Sequence, residues 1–166
     1  MSIRDPARAM LVGTWRLVSA ANVTDKGIVK DEPYGRNPTG FLTYTPDGRM
    51  MALVTWGERK PLSKGQFATP TEERAVAFST SFGYAGTFTL SDNRVTHHIE
   101  AATIPNWVKT DFVRTITELQ GDRVTLRTGR LAWDDGVQYA YQEVTWERVN
   151  SGRVEHLLLS TWPRSR

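Results

Sequence analysis

"GFLTYTPDGRMMALVTW", Gly40 to Trp56, is the stretch on which the fold turns. Two runs rich in β-branched and aromatic residues, Phe41–Thr45 and Arg49–Trp56, flank Pro46-Asp47-Gly48. Proline presets the first turn dihedral, aspartate bonds its own backbone, and glycine accepts left-handed geometry, so the three residues read as a tight turn. Strand, turn and strand in that order predict an antiparallel hairpin.

The same design recurs outward in both directions. "YAGTFTL" and "RVTHHIEA" flank Ser91-Asp92-Asn93, and "DFVRTITEL" and "RVTLRTG" flank Gln120-Gly121-Asp122. "GRLAWDDGVQYAYQEVTWERV" carries Asp134-Asp135-Gly136 as a further hairpin turn. Upstream, Gly13 opens a strand in which Trp15, Leu17 and Ser19 share one face, with Arg16 and Val18 on the other. About nine strands result, joined mostly as sequential hairpins. The expected fold is all-β, an antiparallel up-and-down barrel.

One segment breaks the period of two. In "ATPTEERAVAFSTSFG" Thr69 reads as an N-cap, Pro70 as the first helical residue and Glu72 as the partner in a capping box. Ala75, Phe78 and Phe82 then fall on one helical face, and Gly83 ends the element. A single short helix covering one end of the barrel is expected. Glu72 and Glu73 are read as acids meeting the helix dipole. No internal repeat or low-complexity linker interrupts the chain, so residues 1–166 are expected to form one domain.

Composition narrows the function classes. The chain has 166 residues, no cysteine and a net charge of +3. Disulfides, cysteine-ligated clusters and thiol catalysis are excluded. Basic residues alternate with acids instead of forming a stripe, so no nucleic-acid partner is expected. No apolar run approaches the ~20 residues of a membrane span. The first residues lack a signal-peptide pattern, which makes cytoplasmic residence the expectation. Glycine-rich phosphate loops, a serine nucleophile elbow and a dinucleotide fingerprint are absent, and no cofactor is expected.

Several motifs in order carry a family resemblance: "LVGTWRLVS", "PTGFLTYTPDGRMMA", "YAGTF", "VTHHIEAATIPNWV", "DFVRTI", "GDRVTL" and "TWERV". From Leu11 to Val149 the chain resembles the bacterial and fungal lipocalin-like domain family, small relatives of the lipocalins and other calycins. The resemblance implies an antiparallel barrel with an internal cavity, and no fixed reaction. It also implies that Trp15 packs under an arginine from a late strand. Arg148 is the first candidate and Arg123 the second, through a cation–π contact.

Strand parity then sorts the candidate site. Val95, His97 and Ile99 share a mostly apolar face, which places His97 on the cavity wall and His98 outside. That division argues against a metal site made by the two histidines, and His156 lies far off in the C-terminal stretch, so no metal is expected. Phe112, Arg114 and Ile116 share one face of the next strand, Val113, Thr115 and Thr117 the other. Parity leaves the choice open, while the resemblance puts His97 and Arg114 in the pocket region. Tyr84, Gly86 and Phe88 share a face, with Gly86 leaving room inside. Trp107 follows in a rim position, and Tyr44, Met51 and Tyr139 or Tyr141 are further aromatic or soft lining candidates.

Two functions fit these residues. The first is binding of a small hydrophobic or aromatic molecule in the cavity. The second is a cofactor-independent isomerase, cyclase or dehydratase acting on a polyketide- or terpenoid-like substrate of secondary metabolism, with His97 as general acid/base and Arg114 stabilising an anion. A third reading, a structural partner or homodimer, would use the leucines of "GRVEHLLLSTWPRSR" as its interface. Each lining residue also has a plainer role as packed core or as the partner of a buried polar group.

Overall fold

The computed structural model describes residues 6–132 and 137–149. Among these residues ten strands form one antiparallel sheet: β1 (Gly13–Thr24), β2 (Val29–Asp31), β3 (Thr39–Tyr44), β4 (Arg49–Thr55), β5 (Ser81–Ser91), β6 (Arg94–Ala102), β7 (Asp111–Gln120), β8 (Arg123–Arg127), β9 (Leu131–Ala132) and β10 (Gln138–Arg148). Neighbours follow chain order except for the short β2 and β9, which lie outside the ring. β1 pairs with both β3 and β10, and that second pairing closes an eight-stranded barrel. Closure leaves the long strands without an open edge.

Because every long strand reverses direction, the connections divide between two ends. The tight turns after β3, β5 and β7 gather at one end, together with the start of β1 and the finish of β10. A helix that the sequence pattern did not suggest, α1 (Pro6–Leu11), seals this end. Leu11 and Trp15 are fully buried there, and the Trp15 indole N–H donates to the Leu11 carbonyl at 2.9 Å. The Arg148 guanidinium lies 4.1 Å from the Trp15 ring and donates to the carbonyls of Val12 and Met10. Arg148 is thus the late-strand arginine expected over Trp15. Gly13 has φ +141°, and a side chain there would occupy the space that Arg148 fills.

The second helix, α2 (Thr71–Ser79), lies between β4 and β5 at the opposite end and buries none of its side chains. Its start and finish differ from the sequence reading. Pro70 holds the cap position, and the Thr69 hydroxyl donates to the carbonyls of Lys64 and Gly65, closing the preceding loop instead of capping the helix. Glu73 accepts from the backbone N–H and the hydroxyl of Ser63, which holds its carboxyl below the usual range. Phe82 and Gly83 belong to β5, recruited by pairing with Val54 and Leu53. Pairing across the sheet outcompetes the helical spacing that had included them.

One alternation also breaks. Trp15 and Leu17 point inward as expected, but a register shift between Leu17 and Ser19 turns Ser19 outward and brings Asn22 into the interior. A bulge inserts one residue and reverses parity beyond it. The turn Asp134-Asp135-Gly136, His156 and the C-terminal leucines lie outside the described residues. Among the described residues no helix is long and apolar enough to cross a membrane.

Candidate functional site

The barrel interior is filled at its closed half and hollow at the other. The hollow has a volume of about 930 Å³ and opens among α2, the β6–β7 connection and the strand after β8. Leu42, Ala52, Val54, Leu126, Val144 and Trp146 supply its aliphatic and indole wall. Phe82, Tyr84, Trp107 and Phe112 supply an aromatic one. Phe82 and Trp107 meet edge to face at 5.6 Å, Trp107 and Phe112 at 5.3 Å, and Tyr84 and Phe112 at 5.4 Å. Such T-shaped contacts hold each ring at a fixed angle.

His97 forms the floor. Its ring is 1% exposed, and both nitrogens meet tyrosine hydroxyls: Nε2 lies 2.7 Å from Tyr44 and Nδ1 lies 3.3 Å from Tyr84. Burial drives its pKa well below the ordinary histidine value, with the charges of Arg114 and His98 adding to the effect. The imidazole is therefore neutral at pH 7. Burial likewise raises the Tyr44 hydroxyl well above its usual range, and it raises Tyr84, which the charge and hydrogen bond of Arg114 pull partly back.

His98 points outward, as its parity requires. It sits 2.8 Å from the Asp111 carboxylate and 2.9 Å from the Thr89 hydroxyl on the outer surface. The two histidines face opposite sides of β6, so they cannot share a ligand.

Arg114 resolves the open question of β7 parity. Val113 is 46% exposed, whereas Phe112 and Arg114 are half-buried at the cavity wall. The charge of Arg114 acts on Tyr34, Tyr44, Tyr84 and His97 together, which places the guanidinium toward the interior. It lies 5.0 Å from the Phe112 ring and donates to the Val113 carbonyl at 3.2 Å.

The remaining sequence candidates divide. Tyr84, His97, Trp107, Phe112 and Arg114 converge on the cavity. Tyr44 and Phe88 sit beneath the floor, 4.8 Å apart edge to face, off the cavity wall. Tyr139 is buried with Lys30 over its ring at 5.6 Å, also off the wall, and Tyr141 lies under Arg127 at 4.1 Å. Met51 is a correction: it is 60% exposed, while Met50 is the buried partner of Tyr44 across the hairpin. Two adjacent methionines satisfy either parity, so alternation alone could not choose. Gly86 is a second correction. A Cβ there would overlap the His98 carbonyl oxygen at a bulge in β6, so the glycine serves strand approach instead of cavity space.

Sequence reasoning passed over other members. The Tyr34 hydroxyl donates to Gln142 Oε1 at 2.7 Å, and Gln142 Nε2 donates to Asn22 Oδ1 at 2.9 Å. This buried chain joins the β2–β3 loop to β10 and β1. Tyr34 also packs edge to face on Trp56 at 4.9 Å. Trp146 gives the wall an indole face, while its own buried N–H has no hydrogen-bond partner among the described residues. Gln142 stood at an alternating strand position beside Tyr141, a signal that parity could have used. Tyr34 stood in a loop, where no period exists to read.

The closed barrel, its Trp15–Arg148 contact and its one-ended cavity define a lipocalin-type fold. Residues 12–149 match the lipocalin-like domain family, and the chain belongs to it. No curated protein matches the chain. Among solved structures, a lipocalin-like protein from Bacteroides uniformis is similar at 10% identity, with 84% of this chain and 99% of that one covered and a TM-score of 0.44. An uncharacterized protein from Bacteroides eggerthii is similar at 12% identity, covering 84% and 99%, with a TM-score of 0.42. A point variant of the fluorescent protein UnaG is similar at 13% identity, covering 85% and 97%, with a TM-score of 0.37.

Proposed function

We propose that the protein binds a small hydrophobic or aromatic molecule inside the barrel. One observation carries this reading: the open half of the interior is an aromatic-walled hollow of about 930 Å³, within the range of small-molecule sites. Packed interiors leave few voids larger than a water molecule, so a hollow of this size is not a packing defect. The enzymatic alternative, with His97 as general acid/base, has less support. Both ring nitrogens already meet tyrosine hydroxyls, which leaves none free for a substrate.

Nile red, an uncharged dye that brightens in apolar surroundings, tests the container. The expected result is saturable binding of one equivalent, with energy transfer from the tryptophans, and loss of binding in Val54→Trp, a substitution that fills the hollow from β4. Dye uptake that never saturates, or that is unchanged in a folded Val54→Trp variant, would refute cavity binding. Native mass spectrometry of protein purified from its own host would then reveal the natural occupant.

A further inference from the structure

We infer that the cavity is built for an organic acid, whose carboxylate docks between the Arg114 guanidinium and the Tyr84 hydroxyl while its apolar body lies against Phe82, Trp107 and Phe112. The inference rests on the container reading above and adds the chemistry of the ligand's head.

Hydrogen-bond accounting at the floor supplies the first half. The Tyr44 hydroxyl is buried, and its one described partner is His97 Nε2 at 2.7 Å. A buried hydroxyl hydrogen without an acceptor is costly, so Tyr44 donates and Nε2 accepts. The neutral imidazole then carries its proton on Nδ1 and donates it to the Tyr84 oxygen. With that oxygen accepting from His97 and from Arg114, the Tyr84 O–H hydrogen is left over, and Tyr84 lines the cavity. Tyr44 and His97 thus act as positioning residues that turn Tyr84 into a donor toward the ligand.

Charge supplies the second half. Among the described residues three charged residues border the hollow, Asp111, Arg114 and Arg130, and the Asp111 carboxylate turns to the outer surface. The Asp111 carboxylate is held by His98 at 2.8 Å, and Arg130 pairs with Asp25 at 2.8 Å. Among the described residues no carboxylate lies within ion-pair distance of Arg114, whose guanidinium donates to the neighbouring Val113 carbonyl and to the Tyr84 hydroxyl oxygen. A half-buried cation at the edge of an apolar hollow gains from an anionic partner. A planar guanidinium fork matches a carboxylate with two parallel bonds, and one positive charge balances a monoanion, not a phosphate dianion. A guanidinium and a phenol both donate, so the site calls for oxygens that only accept.

The test compares two ligands with the same body, 1-pyrenebutyric acid and 1-pyrenebutanol, by fluorescence titration of the full chain. The acid is expected to bind about tenfold or more tightly than the alcohol, the usual advantage of a charge-assisted pair. Arg114→Gln should abolish that preference, bringing the affinity for the acid down to that for the alcohol. Tyr84→Phe should weaken the acid severalfold and the alcohol little. Thermal unfolding of each variant confirms that it is folded, and either variant alone suffices for the comparison. Equal affinities for acid and alcohol, or a preference that persists in Arg114→Gln, would overturn the carboxylate site while leaving the container intact. Failure of both pyrenes to bind would sink this inference and the container together.

Discussion

An imidazole sealed under two tyrosines makes folding depend on its proton. His97 meets Tyr44 from β3 and Tyr84 from β5, the charges of Arg114 on β7 and His98 on β6 act on it, and its pKa is depressed chiefly by burial. Below the ordinary histidine pKa near 6.5 the unfolded chain takes up a proton that the folded chain refuses. Stability is therefore complete above about pH 6.5 and falls as pH drops below it, by about 1.4 kcal/mol per pH unit at full slope. Urea unfolding between pH 5 and pH 7.5 should show this loss in the native protein and a clearly flatter profile in His97→Gln. Parallel profiles would mean that the ring is not buried neutral. At this scale strand parity read His97 and His98 correctly, because Val95 and Ile99 made one face of β6 apolar. It could not read Met51, whose neighbour has the same side chain, nor Ser19, which follows a bulge.

Strands β5 and β6 show what a single element adds. Their pairing shifts register between Ala85 and Gly86, and the backbone of β6 comes so close that no side chain fits at Gly86. Gly86→Ala should therefore cost about 3 kcal/mol or more, whereas Gly65→Ala, with open space around it, should fall within about 0.5 kcal/mol. Denaturant midpoints of the two variants check the contrast, and similar midpoints would contradict the bulge geometry. The hairpins themselves were legible, since turn residues marked their ends: β3 and β4 run Thr39–Tyr44 and Arg49–Thr55 around Pro46-Asp47-Gly48. Helix α2 was legible in existence and less so in extent, because β4 claims Phe82 and Gly83 for the sheet.

At the scale of the molecule, closure of the ring joins residues more than a hundred positions apart, such as Leu17 and Trp146. That contact separates a filled half, stabilised by Leu11, Trp15 and Arg148, from a hollow half that gives up packing. A ligand that occupies the hollow should return some of this stability. At about a hundredfold over its dissociation constant it adds about 2.7 kcal/mol, which for a chain of this size raises Tm by about 5 °C or more. Differential scanning calorimetry with pyrenebutyric acid checks this, and an unchanged Tm at saturating acid would count against binding to the folded state.

Local chemistry in the chain determined the strands, their turns and the side of β6 on which each histidine lies, because turn residues and alternation act within a few positions. Tertiary structure alone decided that Tyr44 and Tyr84 meet His97, that Tyr34 reaches Gln142, and that Met50 and not Met51 faces inward. Those contacts depend on register between strands and on bulges, which no single strand encodes. Only ring closure turns one apolar face per strand into the wall of an enclosed space.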